Sequence, residues 1–129
     1  MKSGAEDKGR QQDVFAVRRL LRRRRETHQR ALWQEVERLT AAAAELGVQR
    51  VLLFGSLVRG DPGLTSDLDL LIVWDTPLDF LARTAELYRR LKPRVPADLL
   101  AYTPKEMKEM IHRPFIRRAL EEGRVLYEA

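Results

Sequence analysis

The sequence predicts an α/β (α+β) domain: a small mixed β-sheet of about three to four strands flanked by helices, with an extra N-terminal helical region. Three observations carry this. Two continuous apolar runs of strand length, Val51-Leu52-Leu53-Phe54 and Leu70-Leu71-Ile72-Val73, are bounded by turn residues. Segments with apolar residues at three- and four-residue spacing alternate with such runs. Helix starts and stops are marked by Thr76-Pro77, Thr103-Pro104, Pro114, Gly47 and Gly123.

Residues 1–12 are polar, without apolar periodicity, and are expected to be poorly ordered. From Asp13 the text turns helical, with Val14, Val17, Leu20 and Leu21 recurring at helical spacing. A second stripe, Leu32, Val36, Leu39, Ala43 and Leu46, ends at Gly47, so the segment reads either as two helices or as one from about 13 to 46. Val48–Phe54 is a strand, and Leu68–Trp74 is a second whose unbroken apolar run argues burial on both faces and a central position. Thr76, Pro77 and Asp79 read as N-cap, first position and N3 acid of a helix reaching about Lys92. Val95–Tyr102 is a third strand with Asp98 inside it. Thr103 and Glu106 form a capping box for a short helix. Pro114 begins another helix that Gly123 ends, and Val125-Leu126-Tyr127 is a short last strand. The organisation predicted is a basic arm with helices over 1–46 and a domain over 47–129.

With 129 residues, 44% of them hydrophobic, the chain can bury one modest core. It has no cysteine, which excludes disulfides and thiolate metal sites and fits a reducing compartment. No apolar run reaches the roughly 20 residues of a membrane span, and the N-terminus lacks a signal-peptide pattern. The expectation is a soluble, cytoplasmic protein with no membrane partner. The net charge of +5 is unevenly spread. Residues 1–25 hold nine Lys/Arg against three acids, and the rest of the chain holds 15 against 16. Basic attraction to nucleic acid is therefore not expected of the body, only of residues 1–25.

The chemistry concentrates between the two apolar runs. Strand periodicity puts Asp67 and Asp69 on one face. Two carboxylates about 4 Å apart repel by roughly 4 kcal/mol at an effective dielectric of 20, so one keeps its proton or a cation sits between them. Oxygen ligands without His or Cys point to a hard ion, Mg²⁺ or Mn²⁺. Gly55 permits close backbone approach to a phosphate, and Ser56 offers a hydroxyl and an N–H. If Leu57–Arg59 makes a helical turn, its free N–H groups serve the same anion, with Arg59 adding charge. Gly60 and Pro62-Gly63 turn the chain so that Ser66-Asp67 returns beside Gly55-Ser56. Asp98, the one acid in the third apolar run, is expected to be paired or metal-bound and to complete a triad for two-metal chemistry.

The pattern Gly55-Ser56-x3-Gly60-x5-Ser66-Asp67-x-Asp69-Leu70, with Asp98 in a following strand, resembles the minimal nucleotidyltransferase family of the DNA polymerase β-like nucleotidyltransferase superfamily. The likeness runs from about Val48 to Tyr127 and includes the closing Glu122-Gly123-Arg124-Val125-Leu126-Tyr127. It implies the nucleotidyltransferase fold and transfer of NMP from an NTP, ATP foremost, with two Mg²⁺ ions. It implies Asp67, Asp69 and Asp98 as metal-binding and catalytic carboxylates. It implies Gly55 and Ser56 on the triphosphate, with Arg59 and Ser66 as further nucleotide-binding candidates. Many such proteins act as antitoxins beside a HEPN-domain partner, some by adding AMP to it. The basic N-terminal region departs from the smallest members, so its role is not carried over.

The function expected is a Mg²⁺-dependent nucleotidyltransferase acting on a protein or small-molecule hydroxyl, in a toxin–antitoxin setting with a HEPN-type partner. The alternatives are a non-catalytic antitoxin that covers its partner, and nucleic-acid binding through the arm. A homo-oligomer is compatible with either setting.

Overall fold

The computed structural model describes residues 3–60 and 67–129, with side chains from residue 12 onward. The chain runs α1 (Ser3–Glu45), β1 (Arg50–Phe54), β2 (Leu68–Val73), α2 (Phe80–Leu91), β3 (Ala97–Tyr102), α3 (Pro104–Met110), α4 (Pro114–Glu122) and β4 (Arg124–Glu128). The four strands form one mixed sheet in the order β3-β2-β1-β4. β1 is antiparallel to both β2 and β4, and β2 is parallel to β3. The predicted fold class and the central place of β2 are both found.

Helices cover both faces of the sheet. On one, Leu32, Val36, Leu39 and Ala43 of α1 and Leu87 and Leu91 of α2 pack on Val51, Leu53, Leu68, Leu70, Ile72, Leu99 and Ala101. On the other, Ile116 and Ala119 of α4 pack on Leu52, Leu71 and Val73, with Met107 and Met110 of α3 alongside. The alternation along β2 explains its unbroken apolar run: successive side chains serve opposite layers. Each fully buried Leu or Ile contributes about 1.5–3 kcal/mol.

One open reading is decided, in favour of a single helix over residues 13–45, and the cap of α2 changes. Residues 13–45 form one continuous helix, and the helix also includes residues 3–12, which lack apolar periodicity. Nothing between Arg25 and Thr27 breaks the backbone ladder, and Arg, Gln and Ala are good helix formers. The cap of α2 is Asp79, not Thr76: its carboxylate accepts from Ala82 N at 2.8 Å, whereas Thr76 Oγ1 accepts from Leu78 N at 3.3 Å. A carboxylate at a helix N-terminus gains from the helix dipole as well as from the hydrogen bond. The capping box of Thr103 and Glu106 forms as expected.

Two buried ions tie the layers together. Glu35 of α1 pairs with Arg38 and accepts from Arg94 N, while Arg38 donates to Leu91 O and Lys92 O at the end of α2. Arg83 of α2 reaches Leu78 O, Ala101 O and Glu106, joining α2, β3 and α3.

Candidate active site at the end of the sheet

The site grows from strand register. Phe54, the last residue of β1, pairs with Asp69 of β2, and Asp69 pairs with Asp98 of β3. Leu68 N donates to Pro96 O at 3.0 Å, which holds the starts of β2 and β3 level. The end of β1, Asp69 and Asp98 thus stand in one row across three strands. Leu68 and Leu70 face the α1/α2 core, so Asp69 points to the opposite face, toward α4.

Gly55 follows directly with φ of +84°, and a Cβ built there would clash with Asp69 Oδ2. Only glycine suits both demands, the left-handed backbone and the close approach to the carboxylate. Beyond it, Arg59 N donates to Gly55 O at 3.3 Å and Gly60 N to Leu57 O at 3.2 Å, making the expected helical turn. Leu57, only 3% exposed, anchors that turn in the core. Ser56 is half-buried and Arg59 exposed. Ser66 lies outside the described residues.

The electrostatics single out Asp69. Its pKa is raised to about 6, first by burial, then by the nearby charges of Asp98 and Asp67 and by side-chain contact with Asp98. Arg59 offsets part of this. Two carboxylates in contact need a proton or a cation between them. Among the described residues no three His, Cys, Asp or Glu side chains are gathered as a ready metal site. The structure brings Asp69 and Asp98 together; Asp67 is close enough to repel but is exposed. The donor chemistry still fits a hard divalent ion, since all three donors are carboxylates and the repulsion on Asp69 is what such an ion relieves.

Asp98 departs from its expected surroundings. Its place in an apolar run predicts a paired or metal-bound carboxylate in buried surroundings, whereas the side chain is exposed. β3 is an edge strand, so Asp98 looks out on the layer that α4 leaves open. Tyr88 of α2 steadies this edge: its hydroxyl donates to Ala97 O at 2.6 Å and accepts from Leu99 N at 3.1 Å, bracketing Asp98. Within the sequence Tyr88 is one more apolar helix position, and nothing there marks it as a strand-edge clamp.

Above Asp69 lies a cleft of about 220 Å³. One wall is Phe54, Gly55, Arg59 and Asp69; the other is Phe115, Arg118 and Glu122 of α4. Phe115 meets Phe54 edge-to-face, with ring centroids 5.6 Å apart. Phe115 and Arg118 escape sequence reading because their helix is more than 40 positions downstream of Asp69 and neither belongs to a motif. A larger hollow of about 600 Å³ beside Arg50, Met107 and Ile111 contains none of the motif residues, so size does not locate the chemistry.

Comparison with known proteins places the chain among nucleotidyltransferases. The profile of the nucleotidyltransferase domain family matches residues 30–127. Two proteins of Methanocaldococcus jannaschii, each named "Putative protein adenylyltransferase", are similar to this chain. One is 36% identical over 80 residues, spanning 62% of this chain and 79% of the relative. The other is 31% identical over 77 residues, spanning 58% and 71%. A crystal structure from Sulfolobus solfataricus named "putative nucleotidyltransferase" matches with a TM-score of 0.59 at 19% identity, over 79% of this chain and 85% of that one. That likeness speaks to the fold alone. The glycine laid against Asp69, the row of carboxylates and the family match over most of the chain agree: this protein belongs to the nucleotidyltransferase domain family and is a nucleotidyltransferase.

Proposed function

We propose that the chain transfers AMP from ATP to a hydroxyl, most favourably one on a protein, and releases pyrophosphate. The observation that carries this is Gly55 closed against Asp69, itself in contact with Asp98, at the floor of an open cleft. The choice of AMP and of a protein acceptor draws on the names of the two M. jannaschii relatives. Gly55, Ser56 and Arg59, with Ser66, bind the triphosphate. The acceptor oxygen attacks the α-phosphorus in line, the bond to pyrophosphate breaks, and the hydroxyl proton passes to a carboxylate. The exposure of Asp98 supports that residue as the proton acceptor. Asp67, Asp69 and Asp98 would hold Mg²⁺, or Mn²⁺ in its place, which when bound offsets the charge on the phosphates and leaving group.

Incubation with α-labelled ATP, Mg²⁺ and candidate acceptor protein is expected to label the acceptor, with Asp69→Asn reduced at least a hundredfold. Equal labelling by wild type and Asp69→Asn removes this reading.

A second reading, an antitoxin that covers a HEPN-type partner, is favoured by one observation. Val14, Val17 and Leu20 on α1 are each about half exposed (49%, 54% and 49%). Exposed apolar side chains repeated along one helix suit a protein contact. If covering is sufficient, Asp67→Asn/Asp69→Asn is expected to neutralise the partner as well as wild type does. Binding of the partner without neutralisation eliminates covering.

A further inference from the structure

The cleft has a second wall, on α4, that adds the guanidinium of Arg118 and the carboxylate of Glu122. Arg118 of α4 lines the cleft together with Arg59, Gly55 and Asp69. Among the described residues it forms no ion pair, while its neighbour Arg117 pairs with Glu121 at 3.0 Å. Glu122 lines the same cleft, one turn along α4, and makes no salt bridge to Arg118. Ile116 and Ala119, only 1% and 3% exposed, lock α4 onto the sheet, so the side from which Arg118 projects is set by core packing. Phe115, resting edge-on against Phe54, fixes the same wall one turn earlier.

An uncommitted guanidinium opposite a glycine-floored loop and beside an acidic row suits a ligand carrying both phosphate oxygens and a cation. A triphosphate is such a ligand, and a guanidinium matches phosphate geometry with paired donors. We infer that Arg118 is a nucleotide-positioning residue that contacts the triphosphate from α4, opposite the Gly55–Gly60 turn. This rests on the nucleotidyl-transfer reading of the cleft and adds to it a residue outside the motif. The cleft is thereby two-sided: a loop wall that grips by backbone and Arg59, and a helix wall that grips by Arg118.

The test is calorimetric titration of the full chain with the non-transferable analogue α,β-methylene-ATP in Mg²⁺. Arg118→Ala is expected to weaken binding about tenfold or more. Arg118→Lys should recover part of this loss, and Arg117→Ala should bind as wild type does. Thermal melting of Arg118→Ala should match wild type, because an exposed and unpaired side chain supports no packing. Wild-type binding of the analogue with unchanged affinity in Arg118→Ala overturns the inference and leaves the nucleotide site standing. A comparable loss in Arg117→Ala also overturns it, since general charge on α4 would then suffice. No binding by wild type overturns the nucleotide reading of the cleft together with the inference.

Discussion

Gly55→Val is expected to abolish nucleotidyl transfer, a loss of a hundredfold or more, in a protein that is also destabilised. Two independent costs meet at this position. The backbone has φ of +84°, where an L side chain costs about 1–2 kcal/mol, more for a β-branched one. The new Cβ would also clash with the Asp69 carboxylate, so that carboxylate or the end of β1 must move. Relief of overpacking usually costs about 1–3 kcal/mol, and displacement of a reacting group by about 1 Å can cost a hundredfold in rate. Gly47→Ala separates the two effects. Gly47 has the same φ of +84°, but nothing lies within 4 Å of a Cβ built there. That variant should lose stability by the backbone term alone and keep its activity. Labelled-nucleotide transfer measured beside thermal melts checks both variants. Full activity in Gly55→Val would show that Asp69 need not hold its place against the glycine.

Glu35→Ala is expected to damage the fold outside the active site, lowering stability by about 3–5 kcal/mol and the melting temperature by roughly 10–20 °C. The side chain is 4% exposed, pairs with Arg38 and accepts from Arg94 N. Its removal leaves the partly buried guanidinium of Arg38 without its counter-charge and the Arg94 N–H without its acceptor. It also loosens the tie from Arg38 to the end of α2, at Leu91 O and Lys92 O. Glu35→Gln keeps the shape and an acceptor oxygen and should cost less.

The same residue carries a pH signature. The hydrogen bond from Arg38, and then that from Arg94, hold the Glu35 carboxyl below its ordinary value of 4.5 against the opposing effect of burial. A lowered folded-state pKa means a contribution fully present above the unfolded value and lost as pH falls through the folded one. Denaturant melts of wild type and Glu35→Gln should therefore differ most near neutral pH and converge in acid. A gap that is constant from pH 7 to pH 3 would place the effect in packing alone.

The element inventory and the motif were legible in the residues because both depend on local chemistry. The apolar runs of β1 and β2 exceed any helical alternative in strand character. Thr103 with Glu106 and Pro114 with Gly123 mark their helices by capping, a matter of a few adjacent backbone groups. Gly55 and Asp69 declared themselves through residue type and spacing. The cap of α2 was misread because Thr76 and Asp79 are both good caps, and the choice depends on where the helix meets the sheet.

Residue pattern alone specified the class of fold, the order of helices and strands along the chain, and a loop that joins glycine to carboxylates. These follow from periodicity, turn chemistry and the charge on neighbouring residues, none of which needs a distant partner. Packing across the sheet set the rest: Asp98 stands exposed on an edge strand beside Asp69, Tyr88 clamps that edge, and Arg118 lines the cleft from α4. Likewise it decided that α1 is one helix whose stripe from Leu32 to Ala43 is core while Val14, Val17 and Leu20 stay in solvent. One cause underlies all of these. Burial and opposition of charges arise from elements packed across the sheet, and a local pattern carries no record of which distant element will cover it.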